Sequence, residues 1–220
     1  MSREPLSRER ALAAAVTLVD AEGLKALTMR RLAADLGVEA MSLYYHLPGK
    51  EGLLDGLAET VIAEISAVAG DEKGDWRARL RQRFLRAREV MLRHPWAPAL
   101  IGSRASVPPS LYPYYDEIVG TMTEAGFSAH LAHRALHAFG TMPLGFVQEL
   151  FTPVAAGGAT EVGDAEADLA AMAGALPHLT AMMAAELHAA GDPTLGWCDS
   201  QTEFEFTLDL LLDGLERARG

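Results

Sequence analysis

The segment LTMRRLAADLGVEAMSLYYHLPGK, residues 27–50, contains two short apolar patterns on either side of a glycine. Leu32 and Leu36 recur at helical spacing before Gly37, and Leu43 follows in the second half. The glycine permits the left-handed backbone that ends a helix, and a proline–glycine pair ends the next one. The pattern therefore predicts two short helices joined by a tight turn, a helix-turn-helix.

Helical spacing of alanine and leucine recurs along most of the 220 residues, and clusters of strand-favouring residues are scarce. We therefore predict an all-α protein. Ser7 is the expected N-cap of the first helix, which is expected to end at Gly23. Thr28 is the expected N-cap of the second helix, which is expected to end at Gly37. The predicted helices cover residues 8–22, 29–36, 40–46, 50–68, 76–93, 128–151, 168–190 and 201–218, with another helix that ends at 126.

Charge is distributed unevenly, and this distribution predicts two domains. The net charge is −11, yet residues 1–52 hold seven Lys/Arg and seven Asp/Glu and are neutral. Residues 53–220 hold all of the excess negative charge, so this region is unsuited to polyanions. We therefore predict a domain boundary between 52 and 53, and only residues 1–52 remain a candidate for binding nucleic acid.

The second helix of the predicted helix-turn-helix exposes an unusual set of side chains. Leu43 alone points inward, which leaves two tyrosines, a serine, a methionine and a histidine on the outside. Hydroxyl and imidazole groups can donate to phosphate oxygens, and apolar side chains can meet thymine methyl groups. A packed helical hairpin without DNA-binding activity is the simpler alternative, but it does not explain these polar rings.

The chain resembles the tetracycline-repressor family of bacterial transcription regulators. The segment LTMRRLAADLGVEAMSLYYHLPGKEGLLDGLAE (27–59) is similar to the family's DNA-binding head. The segments AGFSAHLAHRALHAFGTMPLGFVQEL (125–150) and FEFTLDLLLDGLERA (204–218) resemble body helices of the tetracycline repressor itself. The resemblance implies that residues 1–52 form a helix-turn-helix DNA-binding domain and that residues 53–220 form a helical ligand-binding and dimerisation domain. It also implies function as a ligand-responsive, homodimeric, cytoplasmic repressor of a palindromic operator.

The family's DNA contacts can be carried over residue by residue. They fall on Thr28, Arg30, Ala40, Met41, Ser42, Tyr44, Tyr45, His46 and Lys50. Ala40 and Met41 depart from the tetracycline repressor, which has a glutamine and a proline there. Because Ala40 has no hydrogen-bonding group, it cannot make a bidentate contact with adenine, and the operator sequence is expected to differ.

The resemblance also implies a dimer interface formed by residues 129–150 and the last helix. Small residues in the first segment allow helices to approach closely, and apolar residues of the second recur at helical spacing. The predicted interface residues are Ala135, Phe139, Phe204, Leu208, Leu211 and Leu215. The alternative is that both segments belong only to the core of one chain.

The resemblance further implies an effector pocket among the middle helices. At the positions of the tetracycline repressor's metal-ligating histidine, asparagine and glutamine this chain has Leu100, Arg83 and Ile118. A leucine cannot coordinate Mg²⁺, so we expect no metal or cofactor and a largely apolar effector. The predicted pocket residues are Arg83, Phe84, Met91, Leu100, Arg104, Ile118, His137, Met142 and Phe146. Each of them could equally be plain core.

Two alternatives remain. His130, His133 and His137 lie at helical spacing and could serve a metal-dependent enzyme. However, no nucleophile–base pair or phosphate loop accompanies them, so we predict that the chain is not an enzyme. A DNA binder without an effector would leave most of the body unexplained.

No membrane span is expected, because no apolar run is long enough, and the single cysteine, Cys198, suits a reducing compartment.

Overall fold

Within the residues that the structure describes, all regular elements are helices, as predicted. The structure is a computed structural model, and it describes residues 5–68, 73–104, 109–146, 173–182 and 200–219. The predicted helical residues 147–151, most of the predicted helix over 168–190, and Cys198 lie outside the described residues.

The predicted caps define the first two helices. Helix α1 spans Arg8–Glu22, with the Ser7 hydroxyl accepting from the Arg10 N–H at 3.1 Å. Helix α2 spans Met29–Leu36, and the Thr28 hydroxyl accepts from the Arg31 N–H, also at 3.1 Å. These side chains satisfy N–H groups that the helices cannot bond internally. The boundaries of both helices are confirmed.

Helix α3 spans Ala40–Tyr44 and is shorter than the predicted 40–46. The reason is a tight turn: the His46 N–H donates to the Leu43 carbonyl at 3.0 Å, a bond over three residues and not four. The longer helix α4 then spans Gly49–Val68.

The remaining helices follow in chain order. They are α5 (Trp76–Arg93), α6 (Ala97–Gly102), α7 (Tyr112–Glu124), α8 (Ala129–Phe146) and a last helix (Ser200–Arg219). Short 3₁₀ turns occur at Leu24–Ala26 and Pro109–Leu111. None of the helices in the described residues is both long and apolar enough to cross a membrane.

The chain divides into two compact units, one comprising Met1–Val147 and Leu212–Gly220 and the other Gln148–Leu211. In the first unit, α4 contributes a row of buried side chains to the core. These are Leu53, Leu57, Ala58, Val61, Ile62 and Ile65. The predicted domain boundary at 52/53 falls inside α4, so one helix continues from the predicted head into the predicted body.

Gly37 provides the turn between α2 and α3, and its backbone conformation is left-handed with φ 62° and ψ 41°. Its N–H donates to the Ala34 carbonyl, and the Val38 N–H donates to the Ala33 carbonyl, both at 3.0 Å. A side chain at Gly37 would strain this backbone. We therefore expect Gly37→Ala to lower the free energy of unfolding by about 1–2 kcal/mol, as measured by urea denaturation.

The control for this experiment is Gly120→Ala. Gly120 lies inside α7, and a Cβ added there meets no atom within 4 Å. Because alanine favours helix more than glycine does, this variant should be neutral or more stable by up to about 1 kcal/mol. Equal effects at the two glycines would contradict the assignment of Gly37 to the turn.

Candidate nucleic-acid interface and effector cavity

Two leucines hold α3 against the rest of the helix-turn-helix. Leu43 and Leu47 are completely buried, and the Leu47 N–H donates to the Leu43 carbonyl at 2.8 Å. Leu32 of α2 is also completely buried. The inner face of α3 is therefore fixed by packing, and its outer face is left for a partner.

The outer face of α3 is apolar and aromatic. Met41 is 68% exposed, Tyr45 is 88% exposed and Tyr44 is about half exposed. Ala40, Ser42 and His46 are partly exposed beside them. Large apolar side chains are seldom left so exposed on a short helix unless they meet a partner.

Two exposed cations, Arg30 on α2 and Lys50 on α4, lie near α3 in the sequence, and neither has an ion pair within the described residues. Arg31 differs, because it bonds Asp35 at 3.1 Å and Glu22 at 2.7 Å. Hydrogen bonds first to Asp35 and then to Glu22 raise the Arg31 pKa above its usual value. Arg30 and Lys50 are thus available for phosphate, whereas Arg31 is neutralised within the chain.

A buried histidine joins α1, α4 and the segment after α5. His94 Nδ1 lies 2.8 Å from Asp20 of α1, and Nε2 lies 3.0 Å from Glu64 of α4. The Trp96 indole N–H donates to the same Asp20 carboxylate at 2.6 Å. The imidazole ring therefore contacts a carboxylate on each of its two nitrogens. These contacts of His94 were not predicted from the sequence, where the available signal was a histidine in the break HPWAP (94–98).

Arg104 was predicted to line the effector pocket. In the structure it contacts α4 and does not line the apolar cavity. Its guanidinium bonds Asp55 at 3.1 Å and Glu51 at 3.0 Å. The Asp55 hydrogen bond, against the opposing effect of burial and with help from Glu51, raises the Arg104 pKa. This ion pair connects the segment after α6 to the first half of α4.

An apolar cavity of about 80 Å³ lies within the first unit. Its wall consists of Ile62, Ile65, Phe84, Ala87, Met91, Ile101, Leu111, Tyr114, Tyr115, Phe139, Gly140, Pro143 and Leu144. The rings of Phe84 and Phe139 are stacked in this wall with centroids 4.6 Å apart. The polar groups of the wall side chains are the hydroxyls of Tyr114 and Tyr115, and burial raises the Tyr115 pKa.

The predicted pocket residues divide between the cavity and its surroundings. Phe84 and Met91 line the cavity. The others do not: Leu100, Ile118 and Met142 are buried elsewhere, His137 is exposed, and Phe146 is partly exposed. Arg83 is buried beside Tyr114 and bonds Glu117 at 2.8 Å.

Tyr114 and Tyr115 of the cavity wall were not predicted from the sequence. The available signal was the repeated tyrosines of the segment YPYY (112–115).

Several of the residues predicted for a dimer interface are buried within one chain. Phe139 is covered by Phe84, and Ala135, Phe204, Leu208 and Leu215 are buried as well, whereas Leu211 is partly exposed. Phe206 and Leu210 of the last helix, by contrast, are 60% and 51% exposed. The exposed apolar residues of this helix are the ones that a second chain can cover.

The three histidines of α8 do not form a metal site. His130, His133 and His137 are exposed, and the rings of the last two meet edge to face at 4.8 Å. Among the described residues, no group of three histidine, cysteine or acidic side chains could hold a metal ion.

A helix-turn-helix with an exposed outer face on its second helix is the arrangement found in helix-turn-helix DNA-binding proteins. Residues 11–57 match the family model described as bacterial regulatory proteins, tetR family. Residues 69–219 match the model described as tetracyclin repressor-like, C-terminal domain. The chain belongs to the TetR family of bacterial regulatory proteins.

Individual relatives agree with this assignment. The HTH-type transcriptional repressor DrrR1 of Streptomyces coeruleorubidus is 38% identical over 125 residues. That match covers 56% of this chain and 46% of DrrR1, so the chain spans about half the length of this relative. The structure of a possible TetR family transcriptional regulator from Streptomyces coelicolor A3(2) is 32% identical, with a TM-score of 0.76 over 96% of this chain and 100% of that one.

A third relative was crystallised with a ligand. The Streptomyces coelicolor TetR family protein ActR in complex with actinorhodin is 25% identical, with a TM-score of 0.72 over 99% of this chain and 100% of that chain. These relatives are regulators, so the expected family, the all-α fold and the regulatory class are confirmed, and the metal-dependent enzyme is excluded.

The Glu64 carboxyl, which contacts His94, is expected to make the stability of the fold depend on pH. Although partial burial raises the Glu64 pKa, hydrogen bonds from Arg93 and His94 outweigh it and lower the pKa below its ordinary value. A carboxyl with a lowered pKa stabilises the fold above its unfolded pKa and loses this contribution as pH falls through the folded pKa. We therefore expect the wild-type free energy of unfolding to fall between about pH 5 and pH 3, and to fall less in Glu64→Gln.

Urea denaturation followed by circular dichroism at each pH measures this difference. The matched control is Glu89→Gln, because Glu89 is exposed on α5 and makes no ion pair within the described residues. It should keep the wild-type pH dependence. The same pH profile in Glu64→Gln as in wild type would show that the cluster does not stabilise the fold.

Proposed function

We propose that the protein is a homodimeric, cytoplasmic repressor that binds a palindromic operator and is released by a small, largely apolar effector. Residues 1–52 bind DNA, and residues 53–220 bind the effector and form the dimer. The observation that carries the proposal is the outer face of α3, where exposed Met41, Tyr44 and Tyr45 stand on a helix fixed by buried leucines.

The proposed DNA contacts combine this face with the flanking groups. They are Thr28, Arg30, Ala40, Met41, Ser42, Tyr44, Tyr45, His46 and Lys50. An outer face of about one helical turn fits the major groove, with Arg30 and Lys50 at its edges where phosphates lie. Because residues 1–52 are electrically neutral overall, binding depends on these locally exposed cations.

A dimer follows from the small size of the contact. One five-residue recognition helix reads few base pairs, and helix-turn-helix proteins gain specificity by placing two such helices in successive major grooves. We assign the dimer contacts to α8 and the last helix, where Phe206 and Leu210 are exposed beside the predicted Leu211.

The effector site is the apolar cavity. Aromatic rings and aliphatic chains line it, and it has no charged side chain in its wall, so it favours an uncharged aromatic molecule that can bond a tyrosine hydroxyl. Ligand sites in proteins usually measure about 300–1,000 Å³, whereas this cavity measures about 80 Å³. An effector must therefore displace part of the wall.

This displacement is the proposed mechanism. Ile62 and Ile65 of α4 form part of the wall, and Lys50 lies at the opposite end of the same helix. An effector that fits only when α4 is displaced favours conformations in which the two recognition helices are wrongly spaced. DNA affinity then falls by the ratio of the effector's affinities for the two conformations.

The phosphate contact of Lys50 is tested by the salt dependence of DNA binding. The logarithm of affinity falls with the logarithm of salt concentration by about 0.9 for each phosphate neutralised. Lys50→Ala removes two contacts from a dimer, so the slope should become shallower by roughly two. Fluorescence anisotropy with DNA from upstream of the gene measures it.

Lys73→Ala is the matched control, because it removes the same charge from an exposed position in the body. It should keep the wild-type slope. A wild-type slope in Lys50→Ala would place Lys50 away from the phosphates.

The cavity is tested by filling it. Gly140 lines the wall, and a Cβ added there meets no atom within 4 Å. Gly140→Leu should therefore lower the affinity for N-phenyl-1-naphthylamine, an uncharged aromatic fluorophore, by about tenfold or more and leave DNA binding intact. Actinorhodin, the ligand in the ActR structure, is tested alongside.

Gly120→Leu is the control, since Gly120 is another helical glycine with open space that does not line the cavity. It should bind the fluorophore like wild type. Unchanged binding in Gly140→Leu would place the effector elsewhere.

A further inference from the structure

The recognition helix lacks the side chains that usually read purines. Residues 39–46 contain no arginine, lysine, asparagine or glutamine. Bidentate hydrogen bonds to guanine and adenine come from those four residue types. The bases that face α3 are therefore read by other chemistry.

Met41 is the side chain best placed to read a base. It is the second residue of α3, and the first turn of a recognition helix is the part that contacts base edges. The backbone beneath it is held by buried Leu43, while the Met41 side chain is 68% exposed. An unbranched thioether is apolar and adaptable, so it complements a methyl group and offers little to an amino or carbonyl group.

We infer that Met41 is a specificity-determining residue that reads the 5-methyl group of thymine in each half-site. This inference rests on the proposed DNA-binding function. Ala40 adds apolar surface next to it, and thymine is the only standard base with a methyl group in the major groove. Reading by methyl contact discriminates T·A from C·G without a direct hydrogen bond.

The neighbouring groups have other roles. The hydroxyls of Tyr44 and Tyr45 and the imidazole of His46 suit phosphate oxygens. Glu39, the exposed N-cap of α3, has a carboxylate that can accept from the amino group of cytosine. Arg30 comes from α2 and lies at the edge of the site, where it contacts phosphate in the proposed complex. The methyl reading is thus assigned to Met41.

The experiment begins by selecting duplexes from a random pool with the full-length protein. Each selected thymine is then replaced by deoxyuridine in both half-sites, which removes the methyl group and keeps every hydrogen-bonding group. At one symmetric position, wild type should bind roughly tenfold more weakly, the effect of losing two buried methyl contacts. In Met41→Ala, the same replacement should change affinity by about twofold or less.

Two further variants keep the test specific. Met41→Leu retains an apolar side chain and should retain the preference for thymine. Lys50→Ala should weaken binding to the thymine duplex and to the deoxyuridine duplex by the same factor. The ratio of the two affinities should therefore stay unchanged, because a phosphate contact carries no base information.

The outcomes separate the two proposals. If no sequence is selected, the proposed DNA-binding function itself fails. If a sequence is selected and deoxyuridine has no effect at any position, or the same effect in wild type and Met41→Ala, the assignment of Met41 is overturned.

Discussion

The buried ring of His94 joins the helix-turn-helix region to the body. The Asp20 carboxylate on α1 and the Glu64 carboxylate on α4 lie within hydrogen-bond distance of opposite ring nitrogens, and the Trp96 indole N–H donates to Asp20. Removing a hydrogen-bonding partner from a buried polar group costs more than the bond itself contributes, because the remaining group stays desolvated. The three segments are therefore held in one arrangement, and α1 cannot shift against α4 without breaking charged contacts. Glu64 lies between Ile62 and Ile65, which line the apolar cavity, so the His94 contacts and the cavity wall share one turn of α4.

The other half of α4 is held in a different way. Arg104 forms ion pairs with Glu51 and Asp55 in the first two turns of α4, close to Lys50 in the sequence. Exposed ion pairs contribute little to stability, and both acidic partners are largely exposed here. The polar contacts at the two ends of α4 therefore differ, since His94 and Trp96 are buried at one end. Packing holds the other end as well, because Leu53 and Leu57 are completely buried.

Local signals in the sequence were sufficient for the helix-turn-helix. Thr28 and Gly37 act on bonds within four residues of themselves, so the chain near them determines their roles. The same information could not place Phe139, because helical spacing shows which face of α8 is apolar but not which neighbour covers it. Phe84 covers it, and Phe139 therefore lines the cavity. The pairings of His94 with Asp20 and of Arg104 with Glu51 were beyond sequence reasoning for a similar reason, since they join residues far apart in the chain.

The composition of α3 divides affinity from specificity. In the proposed DNA complex, exposed Arg30 and Lys50 contact phosphate, because residues 1–52 are neutral overall and Arg31 is paired with Glu22 and Asp35. Few phosphate contacts mean modest binding to random DNA. Discrimination then depends on groups that fit one base and not another, and an apolar side chain fits a methyl group without the cost of an unmatched hydrogen bond. In the proposed function, a neutral head with an apolar recognition helix gains selectivity by keeping non-specific binding low, so that each correctly placed methyl contact accounts for more of the difference in affinity between sites.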